Sequence, residues 1–229
     1  MCSHTVHAVI AVKTLDSAKS RLAGVLAPAE RSRLVLAMLT DTVRAAAAAP
    51  EIASITVVTP DPVVSRATRA LGATVHPEPR SATAGPDPLN TALSTAAAAL
   101  RDRHGEVAVL ALQADLPALR TPELSAVLAA ARGARAFVAD HAGTGTAALL
   151  APAGTALRPR FGRDSAHRHR AEGAVRLHGD WPGLRHDVDT AEDLAAVRAL
   201  GTGPDTAALL GELGWPAPAR AAVTQVCQA

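Results

Sequence analysis

The run Val107-Ala108-Val109-Leu110-Ala111-Leu112 is apolar at every position. A strand with one wet face alternates apolar and polar residues. An unbroken apolar run suits a strand covered on both faces, and such strands belong to parallel sheets sandwiched between helices. Residues 6–13, 55–59 and 74–76 are further short runs that read as strands. Between them lie helical patterns at 29–48, 63–71, 88–103 and 121–132. The last of these carries Leu124, Val127, Leu128 and Ala131 at i, i+3, i+4 and i+7. Strand alternating with helix implies parallel βαβ units, so the expected fold class is α/β with a mostly parallel central sheet flanked by helices.

After residue 134 the pattern changes. Residues 135–139 and 146–151 flank the turn His141-Ala142-Gly143-Thr144-Gly145 and read as a hairpin. A basic loop is expected at 158–170, strands near 175–178 and 184–188, and helices at 190–200 and 204–213. A chain of 229 residues is long enough to bury one core without staples. The expected organisation is a single domain over residues 1–213 and a loosely held, Pro- and Ala-rich tail over 214–229.

Composition removes several classes of function. Aromatic residues make up 2% of the chain and there is no Tyr, so a row of stacking platforms for single-stranded nucleic acid is not available. A formal charge of +2 is too small for a duplex-binding surface, so no nucleic-acid partner is expected. No apolar run approaches the roughly 20 residues of a membrane span, and the N-terminus lacks a signal-peptide pattern. Cys2 and Cys227 stand at opposite ends with no partner at ligand spacing, which argues against zinc or a disulfide framework and fits a reducing cytoplasm.

The ends of the strands carry the charge. Lys13 closes the first strand, and Lys19 and Arg21 follow in a short polar segment. In open α/β sheets ligands sit at the carboxyl ends of strands, so three cations there suit a nucleoside triphosphate; a solvated basic loop is the alternative. Asp115 follows the 107–112 strand directly, and Asp187-Val188-Asp189 closes a later one. In an extended segment residues i and i+2 share a face, so both acids aim at one point. Asp115, Asp187 and Asp189 together would make an oxygen-lined site of the kind Mg²⁺ prefers. Asp115 could instead form a turn, and Asp189 or Thr190 could cap the next helix. Asp187 has no such explanation.

Three further segments are weaker signals. Gly143-Thr144-Gly145-Thr146 could offer N–H and O–H groups to an anion, or be a plain turn. Arg158 to Arg170 is the most basic stretch, with Gly162 and Ser165 bracketing a turn that could face a phosphate or carboxylate. His167 and His169 read there as surface or phosphate-facing residues. Pro86-Asp87-Pro88-Leu89-Asn90 opens a helix with Asp87 as an N-cap, while Asp87, Asn90 and backbone carbonyls near Glu78 could also accept hydrogen bonds from guanine.

Val12-Lys13…Ala18-Lys19-Ser20-Arg21-Leu22, Pro86-Asp87-Pro88-Leu89-Asn90, Asp115-Leu116-Pro117, Gly143-Thr144-Gly145-Thr146, Phe161-Gly162-Arg163-Asp164-Ser165 and Asp187-Val188-Asp189-Thr190 occur in that order. This ordered set, spanning roughly residues 7–200, resembles the 2-phospho-L-lactate / phosphoenolpyruvate guanylyltransferases of coenzyme F-420 biosynthesis. The resemblance implies a single-domain nucleotidyltransferase fold, Rossmann-like and akin to glycosyltransferase A. It also implies transfer of GMP from GTP to a three-carbon phospho-acid, phosphoenolpyruvate in bacterial members and 2-phospho-L-lactate in archaeal ones. The product with phosphoenolpyruvate would be enolpyruvoyl-2-diphospho-5′-guanosine, with release of pyrophosphate. Ala- and Arg-rich composition favours the bacterial acceptor. Carried over by position, Thr146, Gly162 and Ser165 match acceptor-binding residues, Asp115, Asp187 and Asp189 match the Mg²⁺ acids, and Lys13 and Arg21 match the triphosphate end. Catalytic roles fall on Lys13, Arg21 and Asp115, and nucleotide binding on Lys13, Lys19, Arg21, Asp87 and Asn90. The expected partners are the two substrates, with a downstream transferase of the same pathway and a second copy of the chain as the protein partners it admits. Nucleotidyltransferases for molybdopterin are rivals, but they carry a glycine-rich loop where Thr14–Ser20 has no glycine. A sugar transferase, or a catalytically silent nucleotide-binding regulator, is a further alternative; the regulator would not need Asp187 and Asp189 together.

Overall fold

The computed structural model describes residues 5–15, 19–78 and 87–215. Seven strands form one sheet: β1 (Val6–Ala11), β2 (Ile52–Thr59), β3 (Thr74–Pro77), β4 (Ala108–Leu112), β5 (Ala136–Ala139), β6 (Thr146–Ala151) and β7 (Val175–Arg176). Their order is β3-β2-β1-β4-β6-β5-β7, and only β6 runs against the rest, as the expected hairpin partner of β5. Eight helices are described: α1 (Pro28–Ala47), α2 (Pro62–Ala70), α3 (Pro88–His104), α4 (Thr121–Ala130), α5 (Ser165–Ala171), α6 (Pro182–Arg185), α7 (Ala191–Leu200) and α8 (Pro204–Glu212).

The central strands are buried on both faces, as their unbroken apolar character demands. Alternate residues of β1 and β4 enter different cores. Ala8, Ile10, Leu110 and Leu112 pack with Leu34 and Met38 of α1, Leu124 of α4, Leu184 of α6 and Leu194 of α7. Val9, Val109 and Ala111 pack on the other side with Leu93, Ala96 and Ala97 of α3 and Ala166 of α5. This three-layer arrangement is the α/β architecture the sequence implies.

Three local expectations need correction. Residues 158–170 do not form one basic loop, because 165–171 is helix α5, whose Ala166 and His169 are buried. No strand forms at 184–188. Instead α6 ends at Arg185 and residues 186–189 take no regular secondary structure, with Val188 N–H donating to the Asp115 carbonyl (3.2 Å). The apolar pair Leu184 and Val188 belongs to this short helix and the segment after it, which local periodicity does not distinguish from a short strand. Trp215, assigned to the loose tail, packs on the first core and donates its N–H to Leu210 O (2.9 Å). Residues 216–229 lie outside the described residues, as do Cys2 and Cys227.

Candidate active site

β1 and β4 are neighbours, yet the chain visits β2 and β3 on one side of β1 before crossing to β4 on the other. Such a switch point opens a crevice at the carboxyl ends of the two strands. A cavity of about 410 Å³ lies there, walled in part by Lys13, Lys19, Arg21, Gln113, Asp115, Asp187 and Asp189. The structure thus gathers the three cations and three acids from stretches far apart in sequence.

Lys19 is the centre of this arrangement. Its ammonium is hydrogen-bonded to Asp115 Oδ2 and lies 3.0 Å from Asp189 Oδ1. One point therefore serves both carboxylates. Burial works to lower the Lys19 pKa, but the carboxylates of Asp115 and Asp189 outweigh it and hold the group above the ordinary lysine value. Lys19 also has a left-handed backbone (φ 52°, ψ 47°), uncommon for a side chain other than glycine and a recurrent mark of functional sites. Arg21 is largely exposed, with Nη1 3.6 Å from Asp189 Oδ2. Lys13 is exposed and makes no ion pair among the described residues. Asp187 is pushed up to about 7, first by burial and then by the charge of Asp115 and Asp189.

The acids are held by backbone contacts. Thr42 Oγ1 accepts from Leu116 N–H (3.2 Å), bracing the turn that carries Asp115. Glu123 is buried and its carboxylate accepts from Gly183 N–H (3.0 Å) and Leu184 N–H (2.9 Å), fixing α6 and so the entry to Asp187. Thr190, not Asp189, caps α7: its hydroxyl accepts from Asp193 N–H (3.2 Å), while Asp193 Oδ2 accepts from Asp189 and Thr190 N–H. The Asp189 carboxylate is thereby left to the cavity. Asp61 accepts from Leu15 N–H (3.0 Å) as well as capping α2. It ties down the backbone at Leu15, a role with no signal in the sequence beyond the cap.

His141 and His186 stack beside Asp187 and Asp193, ring centroids 4.1 Å apart and planes 6° from parallel. A single ion cannot lie in two parallel, separated ring planes, so this group is not set up to share a metal.

The acceptor-side residues stand apart from the cavity wall. Thr146 is linked to it through its carbonyl, which accepts from Gln113 Nε2 (3.3 Å). Its hydroxyl lies 2.9 Å from His169 Nδ1 and 3.1 Å from Ser165 Oγ, and all three side chains are buried. His169 is therefore not a surface residue; His167 is exposed. Gly162 is exposed at φ 107°, and its carbonyl accepts from Ser165 N–H (3.1 Å). The loop at Gly143–Gly145 does not offer its amides to an anion, because the Asp140 carboxylate accepts from Thr144 N–H (3.0 Å) and Gly145 N–H (2.9 Å). The guanine contact expected of Asn90 is also displaced. Asn90 Oδ1 accepts from Phe161 N–H (2.8 Å), its amide donates to Phe161 O (3.1 Å), and both Asp87 oxygens lie 2.8 Å from the same amide. Asp87 caps α3, and the pair clamps the start of the 161–165 turn. Residues 79–86, next to the Glu78 carbonyl proposed for guanine, lie outside the described residues.

Burial, then the charge of Arg135, holds His169 down to about 4; Arg168 and Arg160 add to this and Glu172 opposes it. The unfolded chain takes up this proton near 6.5 and the folded chain only near 4. The contribution to stability is therefore complete above 6.5 and is lost as pH falls through 4, by roughly 3 kcal/mol in all. Urea unfolding at stepped pH checks this: the difference in slope between the protein and His169→Asn should be confined to that window.

A family model described as "Guanylyl transferase CofC like" matches residues 6–222. A phosphoenolpyruvate guanylyltransferase of Nocardia farcinica is 59% identical over 99% of this chain and 100% of its own length. One of Rhodococcus erythropolis is 52% identical over 91% of this chain and 96% of its own. Among solved structures, a nucleotidyl transferase from Methanothermobacter thermautotroptrophicus shares the fold with a TM-score of 0.56 at 18% identity, covering 85% of this chain and 96% of that one. With the family match running through every element that builds the cavity, the chain belongs to the guanylyl transferase CofC-like family.

Proposed function

We propose that this protein is a phosphoenolpyruvate guanylyltransferase of coenzyme F-420 biosynthesis, transferring GMP from GTP to the phosphate of phosphoenolpyruvate with release of pyrophosphate. The observation that carries the site assignment is the shared grip of Lys19 on Asp115 and Asp189 at the β1/β4 switch point, with Asp187 on the same cavity. The names of the relatives supply the substrates.

Both reactants are polyanions. Two unit charges 4 Å apart repel by about 4 kcal/mol at an effective dielectric near 20, and several such pairs meet in this reaction. Lys13, Lys19 and Arg21 supply positive charge around the triphosphate and the departing pyrophosphate. Lys13 has no competing carboxylate among the described residues and is open to the cavity, so its charge is available to the nucleotide. The acceptor oxygen is already anionic near neutral pH, since the second ionisation of a phosphate monoester lies near 6, so no side chain need remove a proton. Thr146, Gly162 and Ser165 take the acceptor, and the Asn90 clamp on Phe161 sets the turn that carries Gly162 and Ser165.

The residues fit Mg²⁺. Asp115 and Asp189 share the Lys19 ammonium, Asp187 lines the same cavity, and all three offer hard oxygen donors. Asp115, Asp187 and Asp189 would hold it, and when bound it supplies charge neutralisation between the two phosphate groups. The protein should release pyrophosphate from GTP and Mg²⁺ when phosphoenolpyruvate is added, and at least tenfold more slowly with 2-phospho-L-lactate. Equal rates would remove the assignment of acceptor, and no release with either would remove the function.

A further inference from the structure

We propose that His169 is a positioning residue that makes the Thr146–Ser165 pair a hydrogen-bond donor to the acceptor's anionic group; this rests on the assignment of that pair to phosphoenolpyruvate. The three side chains lie together, with Ser165 and His169 one turn apart on α5 and Thr146 at the start of β6. The imidazole is 0% exposed and lies between the rings of Phe137 and Phe161, at centroid distances of 5.8 and 5.4 Å.

Hydrogen counting decides what the cluster can do. Arg160 N–H points at His169 Nε2 from 2.8 Å, and a backbone amide can only donate. Nε2 is therefore an acceptor. The ring is neutral, in keeping with its burial and the arginines around it, so its hydrogen is on Nδ1. That hydrogen is directed at Thr146 Oγ1, 2.9 Å away. The contact between Thr146 and Ser165, at 3.1 Å, uses one of their two hydroxyl hydrogens. The other is left over, whichever of the two donates.

With the opposite tautomer the result would change. Nδ1 would accept from Thr146, Thr146 would accept from Ser165, and no hydrogen would remain. The backbone amide of Arg160, acting through the ring, thus determines whether these hydroxyls can donate to a negatively charged ligand. The left-over O–H matches what a phosphate or carboxylate oxygen requires. No proton moves in this scheme, so His169 affects binding and orientation of the acceptor and leaves the nucleotide side untouched.

The test uses the full-length protein with GTP, Mg²⁺ and phosphoenolpyruvate, comparing His169→Phe, His169→Asn and Thr146→Val. Phe fills the space but donates nothing; the Asn amide restores a donor toward Thr146. His169→Phe should raise KM for phosphoenolpyruvate about tenfold, with KM for GTP unchanged within twofold. His169→Asn should recover most of that loss. Thr146→Val should raise the same KM, and adding His169→Phe to it should have little further effect. A purely structural role would lower the folded fraction, and so kcat, at constant KM. An unchanged KM in His169→Phe beside a raised one in Thr146→Val overturns the positioning role and leaves the acceptor assignment standing. An unchanged KM in Thr146→Val overturns both.

Discussion

Asp115→Asn should reduce turnover of GTP and phosphoenolpyruvate by on the order of 10²–10³-fold while leaving the unfolding midpoint nearly unchanged. Asparagine keeps the shape of the side chain and an oxygen for Lys19, so the local packing survives. What is lost is one of three negative charges around the point where Asp115 and Asp189 meet. Burial first, and then the charges of Asp115 and Asp189, raise the Asp187 pKa, so gathering these acids is a cost to stability that ligand binding offsets. Steady-state pyrophosphate release together with thermal unfolding checks the prediction. A variant with more than a tenth of the activity would exclude a metal-binding or catalytic role for Asp115. Stability lost in parallel with activity would mean that the residue acts through the fold.

The second large effect is expected far from the chemistry. Gly183→Ala places a Cβ 2.0 Å from the Ala118 carbonyl oxygen and 2.8 Å from Glu123 Oε2. Neither can retreat easily, since the first is backbone and the second belongs to the buried Glu123 carboxylate, whose Oε1 accepts from Gly183 N–H and Oε2 from Leu184 N–H. Overpacking of this kind costs about 3 kcal/mol. For a domain of this size that is a fall of roughly 6–12 °C in unfolding midpoint. Activity should drop as well, because α6 feeds directly into the 186–189 segment that presents Asp187 and Asp189. Gly211→Ala is the control: its Cβ would meet nothing within 4 Å, in helix α8, and it should be neutral or slightly stabilising. A Gly183→Ala variant as stable as the wild type would mean that the α6 turn can move, and that the Glu123 brace does not set the position of the acids.

These two residues show how unevenly the protein can be read from its sequence. Asp115 is legible because it follows an unmistakable buried strand, and the position after such a strand faces a ligand crevice. Gly183 is not, because what requires glycine there is a carbonyl 65 positions away in sequence. Asp187 and Asp189 do line one cavity, but not as the end of a strand: the segment has no regular structure, and its position comes from Glu123, the Asp115 carbonyl and the α7 cap. His169 reads from sequence as a surface or phosphate-facing residue because Arg163, His167, Arg168 and Arg170 surround it. Its burial is visible only when the face shared with Ala166 is packed against Phe137 and Phe161. Asn90 reads from sequence as a ligand contact because nothing local to it announces the backbone of Phe161, 71 residues on.

Sequence alone determined the strands with two covered faces, the helices between them, the β5–β6 hairpin, and the charged residues that follow each central strand. These are local properties: burial on both sides must be met with apolar residues at every position, and a strand's end is marked where that run stops. Tertiary structure decided which ends meet. The crossing from β3 over β1 to β4 opens the crevice, and Lys19 reaches Asp115 across 96 residues and Asp189 across 170. A hydrogen bond or ion pair over such separations leaves no periodic trace in the chain, so its partners are known only once the layers have packed.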